Sequence, residues 1–581
     1  MKSLRTLAVV FAVAVAALVV VLGVRMRQAR AADDAMFPAV TDARLLAAQR
    51  DDGWLMFLRS YQGQAHAPFD QITTANAGKL QEVFTHDVTI PEGFEAPPIV
   101  NGRTMIVTTP MDRVYALDAT NGKQLWEYDY QLPHRALRTV CCDMVNRGVA
   151  LYGTSAYMAT LDDHVIALDA RTGKLLWNTT VYPEPGASYA MTSAPLAVKG
   201  LIVVGGGGGE YGARGLIVAL DAQTGKERWR TYTIPAPNEP GGDTWPKDTY
   251  LHGGGSAWLT GTYDAETDTL LWGVGNPSPW LAPVRPGRNL YSDSVIALDP
   301  ASGHIKWYFQ QTPNDPWDYD ATNTPVQADL TIDGKPRKVF YQAARNGWFY
   351  VVDRTNGKLI HMTPFTKTTS VTGYDRAHGI GTVNAALKPK IGTTVFTCPA
   401  FFGGDNWWPY SFDPKTGYAF VPTMHTCMKL GGGKPKPFKA GADYTEETFE
   451  VEHTPGDAHW GEMQAIDVAT GRHVWGKEIG QPWSDGSLST GGGVVFSGTP
   501  DQHFYAFDAR SGKVLWDHHM HSGVIGVPVS YRVDGKQYVA VQSGWGGVTP
   551  FYGGPKMVPG FRHIPLGGRL YVFALPAGSG S

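Results

Sequence analysis

Residues 316–320 read PWDYD and set Asp318 and Asp320 either side of a tyrosine. The stretch otherwise reads as the edge of a β-strand, where side chains two apart point the same way. Both carboxylates would then face one spot and repel unless a cation lies between them. Chemistry is expected at that spot. A second unusual pair is Cys141-Cys142. A disulfide between neighbours closes a distorted eight-membered ring, so stability does not explain it; the alternative is two separate thiols.

The elements that must position these residues announce themselves as repeats. An alternating apolar strand ends in Asp, a turn places Gly four residues later, and a Trp usually follows four further on, complete in VYALDATNGKQLW. Copies occur with the Asp at 118, 169, 221, 299, 353, 413, 467 and 508. Each reads as a β-hairpin whose Trp can pack between neighbouring sheets. Spacings of 41 to 78 residues suit a four-stranded unit with variable loops, predicting an all-β, eight-bladed β-propeller. A β-helix or a string of sandwiches is the alternative. A ninth half-copy, LYVFALP at 570–576, lacks the turn and is expected to pair near Trp54 to close the ring. The longest spacing, 221 to 299, holds GGDTWPKDTYLHGGGSAW and WGVGNPSPW, and loops on one face of a rigid scaffold are where sites are built.

The chain has 581 residues and a formal charge of -3 from 50 basic and 53 acidic side chains, without a basic run of the kind that binds nucleic acid. Its N-terminus carries Lys2 and Arg5, an uncharged, mostly apolar run from Thr6 to Val24, and then Arg25, Arg27 and Arg30. This predicts export: residues 1–31 act as a signal peptide cleaved at Ala29-Arg30-Ala31 or as an uncleaved membrane anchor, leaving 32–581 as one periplasmic domain. The four cysteines, Cys141, Cys142, Cys398 and Cys427, are an even count that in an exported chain suggests two disulfides. There is no C-x-x-C and no C-x-x-C-H, so a zinc site is a weak reading and the chain does not attach a c-type haem itself.

With Cys141-Cys142, the Trp-bearing repeats, GGGSAW, GNPSPW and WDYD together, the chain resembles the pyrroloquinoline-quinone (PQQ) dependent alcohol dehydrogenases of the methanol and ethanol dehydrogenase family, across essentially the whole mature sequence. That family's fold is an eight-bladed propeller. The resemblance implies that Cys141 and Cys142 form a ring against one face of PQQ, that Trp258 stacks on the other, and that Arg147 binds its polar edge. It likewise implies quinone contacts from Glu95 in GFEAPP, Thr192 in MTSAP and Asn406 in GGDNWW, and a long-range disulfide between Cys398 and Cys427. One departure stands out: the family often has Ser three residues before the metal-binding Glu, and here that place is Gly207. Either a hydrogen bond to the quinone is missing or the backbone amides of Gly207, Gly208 and Gly209 replace it.

The resemblance assigns Glu210, Asn276 and Asp318 as metal ligands, all oxygen donors suited to a hard cation. It assigns Asp318 as the catalytic base that takes the alcohol proton while hydride leaves for the quinone carbonyl, polarised by the metal, and places Arg345 in AARNGW beside that carbonyl as catalytic and cofactor-binding residue. Asp320 would add a negative ligand that a divalent ion does not need. Family members using calcium typically carry a small or uncharged residue there and lanthanide-dependent members Asp, so one lanthanide ion is expected, with calcium as the alternative. The implied reaction oxidises a small primary alcohol to an aldehyde, and a separate soluble cytochrome c takes the electrons. The acidic balance would steer a basic partner, without locating a docking surface. Trp280, Trp407 and Trp408 are pocket candidates, and a homodimer is among the assemblies that the resemblance leaves open. Rival readings are a calcium-dependent polyol or sugar dehydrogenase and a non-catalytic periplasmic scaffold.

Overall fold

A computed structural model describes residues 36–578 except 135, 137–139, 183–188 and 559. The leader and its cleavage site therefore lie outside the described residues, among which no helix is long and apolar enough to cross a membrane.

The chain forms an eight-bladed β-propeller, each blade built on four antiparallel strands. Ile380–Val383 and Val371–Asp375 extend the sheet of blade 4, His66–Ala67 that of blade 7, and Thr394–Thr397, Thr426–Gly432 and Glu447–His453 form a separate three-stranded sheet. Blade 1 runs through Ile99–Asn101, Thr104–Thr109, Arg113–Asp118 and Gln124–Asp129. Blades 2 and 3 follow at Ala150–Thr180 and Leu196–Tyr232, blade 4 at Thr262–Gln310, blade 5 at Val326–Pro364, blade 6 at Ser411–Ile479 and blade 7 at Ser487–His519. Blade 8 takes Val529–Val533, Lys536–Ser543 and Gly568–Ala574 from the C-terminus and Gln81–Val88 from the N-terminal part of the chain. Both ends of the propeller are thus closed within one sheet. The closing strand is Gln81–Val88, not the segment near Trp54, whose backbone instead bridges Val100 on blade 1. The eight-residue strand QEVFTHDV supplies a full edge, which the isolated Trp54 bridge does not.

The repeat motif works as a staple between blades. The Asp221 carboxylate accepts backbone N–H bonds from Gln223 and Thr224, closing the turn. The preceding blade's Trp177 lies over the turn's Gly225, and its Nε1 donates to Ala222 O at 3.2 Å. Trp126 of blade 1, Trp229 of blade 3 and Trp475 of blade 6 repeat the arrangement against the blade that follows each, donating to Ala170 O, Pro300 O and Ala509 O. A left-handed Gly is needed here twice over, for its φ of about +70° and because a side chain would meet the indole.

Strand alternation then decides where the site lies. In an antiparallel four-stranded blade the turn between strands 3 and 4 lies at one end. The turn between strands 2 and 3 and the link into the next blade both lie at the other. The Asp-Gly motifs occupy the first end, so the functional segments must gather at the second.

Candidate active site

Every residue predicted to hold the cofactor or the metal falls in a link between blades or in a turn between strands 2 and 3. Cys141–Arg147 joins blades 1 and 2, Thr192 joins 2 and 3, Trp258 joins 3 and 4, Asp318 and Asp320 join 4 and 5, and Asn406 joins 5 and 6. Gly207–Glu210, Asn276 and Arg345 sit in the turns between strands 2 and 3 of blades 3, 4 and 5. They converge on one cavity of about 850 Å³, open mouth included, whose walls include Glu95, Cys141, Cys142, Arg147, Thr192, Gly207, Gly208, Glu210, Trp258, Asp318, Asp320, Arg345 and Asn406.

Arg345 is the hub. Its Nη1 lies 3.2 Å from Asp318 Oδ2 and its Nη2 3.1 Å from Asp320 Oδ2, and Nη2 also donates to Asn406 Oδ1 at 3.2 Å. The cation expected between the two aspartates is therefore present as a side chain. The route to this geometry differs from the expected one. Residues 316–320 are not a strand, and Asp318 has φ +62°. The loop is folded by Asp315, whose carboxylate accepts from Trp317 N and Tyr319 N at 2.7 Å each. Trp317 and Tyr319 stack on each other at 5.7 Å while Asp318 and Asp320 meet at Arg345. Asp320 also accepts from Trp258 Nε1 at 2.8 Å and from Asn276 N at 2.6 Å. A Cβ on Gly275 would overlap the Asp320 carboxylate, so glycine is what admits the acid there.

Burial sets the electrostatics. The Asp318 carboxyl is raised well above its ordinary value by desolvation first, which Arg345 opposes and Asp320 and Glu210 reinforce. Glu210 is pushed up to about 7 by burial and by Asp320. Burial works against the Arg345 charge, but Asp320, Asp318 and Glu210 outweigh it and raise its pKa.

A second ionic centre lies across the cavity. Arg147 pairs with Glu95 at 2.7 Å, donates to Thr192 Oγ1 at 2.6 Å, and lies over the rings of Trp407 and Trp258. Glu95 is raised to about 7 by burial, against the pull of Arg147. Cys141 and Cys142 are disulfide-bonded, as are Cys398 and Cys427. The ring is pinned by Asp143, whose carboxylate accepts from Gly93 N, Gly547 N and Met144 N at 2.8 Å each.

Three expectations are adjusted. Gly209 does not reach the cavity wall: its N–H donates to Ser256 Oγ at 2.9 Å, so it positions the Glu210 loop. The Gly207 N–H is likewise taken, by Ala190 O at 2.8 Å. Asn276 is buried behind the wall, and Trp408 packs against Trp407 without lining the cavity, whereas Trp280 and Trp407 do line it. Sequence reasoning missed Asp143, Ser256, Phe401 and Tyr552. Tyr552 belongs to the Val548–Met557 helix inserted between two strands of blade 8, where WGGVTPFYGGPK has no counterpart in other repeats.

The residues suit an anionic cofactor and a hard cation. Arg147 Nε and Arg345 Nε are buried without a hydrogen-bond partner, donors left over by the protein's own contacts. The Asn276 amide can turn either way. With nitrogen toward the acids it donates to Asp320 Oδ1 at 3.2 Å and Asp318 Oδ1 at 3.3 Å while Trp280 Nε1 donates to its oxygen. With oxygen toward the acids, three oxygens converge, which only a cation makes favourable. Among the described residues no three His, Cys, Asp or Glu side chains are spaced to share an ion in this conformation, so the oxygen set depends on that amide.

Comparison with known proteins defines the class. A sequence model described as "Glucose/ethanol/alcohol dehydrogenase, beta-propeller domain" matches residues 54–369 and 359–539. The chain is 39% identical over 562 residues to the quinohemoprotein alcohol dehydrogenase ADH IIB of Pseudomonas putida, covering 93% of this chain and 80% of that one. It is 38% identical over 540 residues to the quinoprotein alcohol dehydrogenase PedH of Pseudomonas putida, covering 89% and 90%. A europium-containing methanol dehydrogenase superposes with a TM-score of 0.88 at 33% identity, covering 92% of this chain and all of that one. The chain belongs to the PQQ-dependent alcohol dehydrogenase family.

Proposed function

We propose that the protein is a periplasmic quinoprotein that oxidises small primary alcohols to aldehydes, using PQQ, one lanthanide ion and a separate cytochrome c as acceptor. The observation that carries this reading is the convergence, in one buried cavity, of an acid trio, two guanidiniums, a vicinal disulfide and an indole from five different links and turns. Residues 32–581 would form the catalytic domain behind an export leader of residues 1–31.

Glu210, Asn276, Asp318 and Asp320 would hold the ion, and Arg147, Thr192, Asn406, Trp258 and the Cys141-Cys142 ring would hold the quinone. When bound, these groups supply an acceptor for the hydride and a Lewis acid. The chain's own residues do the rest. Asp318, its carboxyl raised by burial, takes the hydroxyl proton of the alcohol. Arg345 orients Asp318 and keeps positive charge where oxyanion character develops. Arg147, ion-paired with Glu95, has its buried Nε–H left to donate to an anionic cofactor edge. Trp280, Phe401 and Tyr552 bound the space left for the alcohol and exclude water.

Drawn together on an ion, the Glu210, Asp318 and Asp320 carboxylates with the Asn276 amide oxygen would favour a trivalent over a divalent one. The second reading, a calcium enzyme in which Asp320 serves only as a partner of Arg345, draws on the 3.1 Å pair those residues make. Dye-linked alcohol oxidation by apo-protein given PQQ with lanthanum or calcium separates them. Lanthanum-supported activity that Asp320→Ala abolishes is expected. Equal activity with calcium in both proteins would refute the lanthanide assignment, and inactivity toward every alcohol would refute the reading as a whole.

A further inference from the structure

Two neighbouring loops beside the active site carry four exposed lysines. Lys390 ends the motif Lys388-Pro389-Lys390, Lys434 and Lys436 flank Pro435, and Lys439 follows on the same loop. The loops are joined through backbone: Gly392 N donates to Gly432 O at 2.8 Å, and Gly432 N donates to Thr393 O at 2.9 Å. The lysine ion pairs among the described residues are made by Lys199, Lys338, Lys429 and Lys556, not by these four. Local acids are occupied or set aside. Glu446 is buried and accepts from Lys436 N, Glu450 and Glu452 take Lys429, and the exposed Asp443 accepts from the Thr445 hydroxyl at 3.0 Å. Beside the charges, Ile391, next to Lys390 and bridged to Gly432, is 50% exposed. The result is a basic face with an exposed isoleucine on a chain whose acids outnumber its bases.

Both loops are built onto the site. Trp317, next to Asp318, donates its Nε1 to Leu387 O at 2.9 Å, and Lys388 lies over its ring. Tyr444 N donates to Glu210 O at 2.7 Å, and Trp280 N to Thr445 O at 3.1 Å. The Phe438 ring stacks on His252. The patch therefore rests on the segments that carry Glu210, Trp280 and Asp318.

We infer that this lysine face docks the electron acceptor, and that the acceptor is a soluble one-electron carrier protein with an acidic docking face. The inference rests on the dehydrogenase reading and reverses the expectation from net charge, because a local field at the docking patch steers encounter more than the distant sum does. An alcohol gives up two electrons and two protons on becoming an aldehyde. Two acceptor molecules are then reduced by one electron each, and the protons leave to solvent. A basic face with an exposed isoleucine suits a carrier that must bind and leave quickly.

The test uses the holoenzyme reduced by alcohol, mixed in stopped flow with a purified c-type cytochrome of acidic pI or, separately, of basic pI, across ionic strength. The acidic cytochrome should be reduced faster, with a rate that falls as salt rises. The variant K390E/K434E/K436E/K439E should lose at least about ten-fold of that rate at low salt, while dye-linked turnover stays unchanged. Loss of cytochrome reduction with dye-linked activity intact supports the surface. An unchanged rate in the variant, or faster reduction of the basic cytochrome, overturns it while leaving the dehydrogenase standing. Absence of dye-linked activity in the wild type overturns the parent reading and this one together.

Discussion

Replacing Arg345 with methionine tests the centre of the site directly. The wild-type guanidinium is buried, lies 3.2 and 3.1 Å from two buried carboxylates, and also donates to Asp318 O at 3.1 Å and to Asn406 Oδ1. Methionine keeps much of the volume and removes the charge, leaving Asp318 and Asp320 facing one another. Breaking a buried ion pair from one side costs about 3–5 kcal/mol, because the remaining charge is uncompensated. A propeller of about 540 residues unfolds with an entropy of roughly 1.1 kcal/mol/K, so the apo-protein should melt about 3–4 °C lower. The sign with pH follows from Asp318. Its carboxyl, already raised by burial, rises further without Arg345. A raised folded-state carboxyl costs stability as pH climbs above the unfolded value, so the deficit should narrow as pH is lowered toward 4. A bound cation would replace the missing charge. Scanning calorimetry with and without lanthanum should therefore show a larger metal-induced rise in the variant than in the wild type. An equal rise in both, or an apo-variant as stable as wild type at pH 7, would refute the view that Arg345 compensates these two acids.

Three further outcomes are expected. Cys398→Ser should destabilise by about 3.6 kcal/mol in chemical denaturation, from the 29-residue loop that the Cys398–Cys427 bond closes, with little change in dye-linked kcat. Gly303→Ala and Gly334→Ala both place a side chain at φ near +72°, but only Gly303 has the Trp229 ring 2.5 Å from the new Cβ, so Gly303→Ala should cost about 1–3 kcal/mol more; equal losses would show that the indole staple is loose. Burial alone would raise Glu462, yet hydrogen bonds to His425 and His473 hold it at about 2, so its stabilisation should be present above pH 4.5 and disappear between pH 4.5 and 2. Glu462→Gln should flatten that limb of the stability profile.

Much of this protein was legible before any fold was known. Repeated hairpins with an Asp, a Gly and usually a Trp made the propeller legible, because each position has a local duty: closing a turn, adopting a left-handed φ, or covering the next blade. The copies do not fall one to a blade, however: Asp413 and Asp467 both lie in blade 6, and blade 8 carries none. The same repeats marked the enlarged segment between Asp221 and Asp299 that carries Trp258 and Asn276. The identity of the closing strand was not legible. Gln81–Val88 lacks the repeat motif, and its pairing with Gly568–Ala574 spans nearly the whole chain. Nor could strand alternation explain why Asp318 and Asp320 share a partner. That depends on a left-handed turn at Asp318, on Asp315 folding the loop from within, and on Arg345 arriving from another blade. The lysine face is likewise a tertiary product, since Lys390 and Lys434 become neighbours only through a backbone bridge between separate loops. Local chemistry repeats along a chain and can be read from it; convergence of distant loops on one end of a ring is set by the closure of the ring itself.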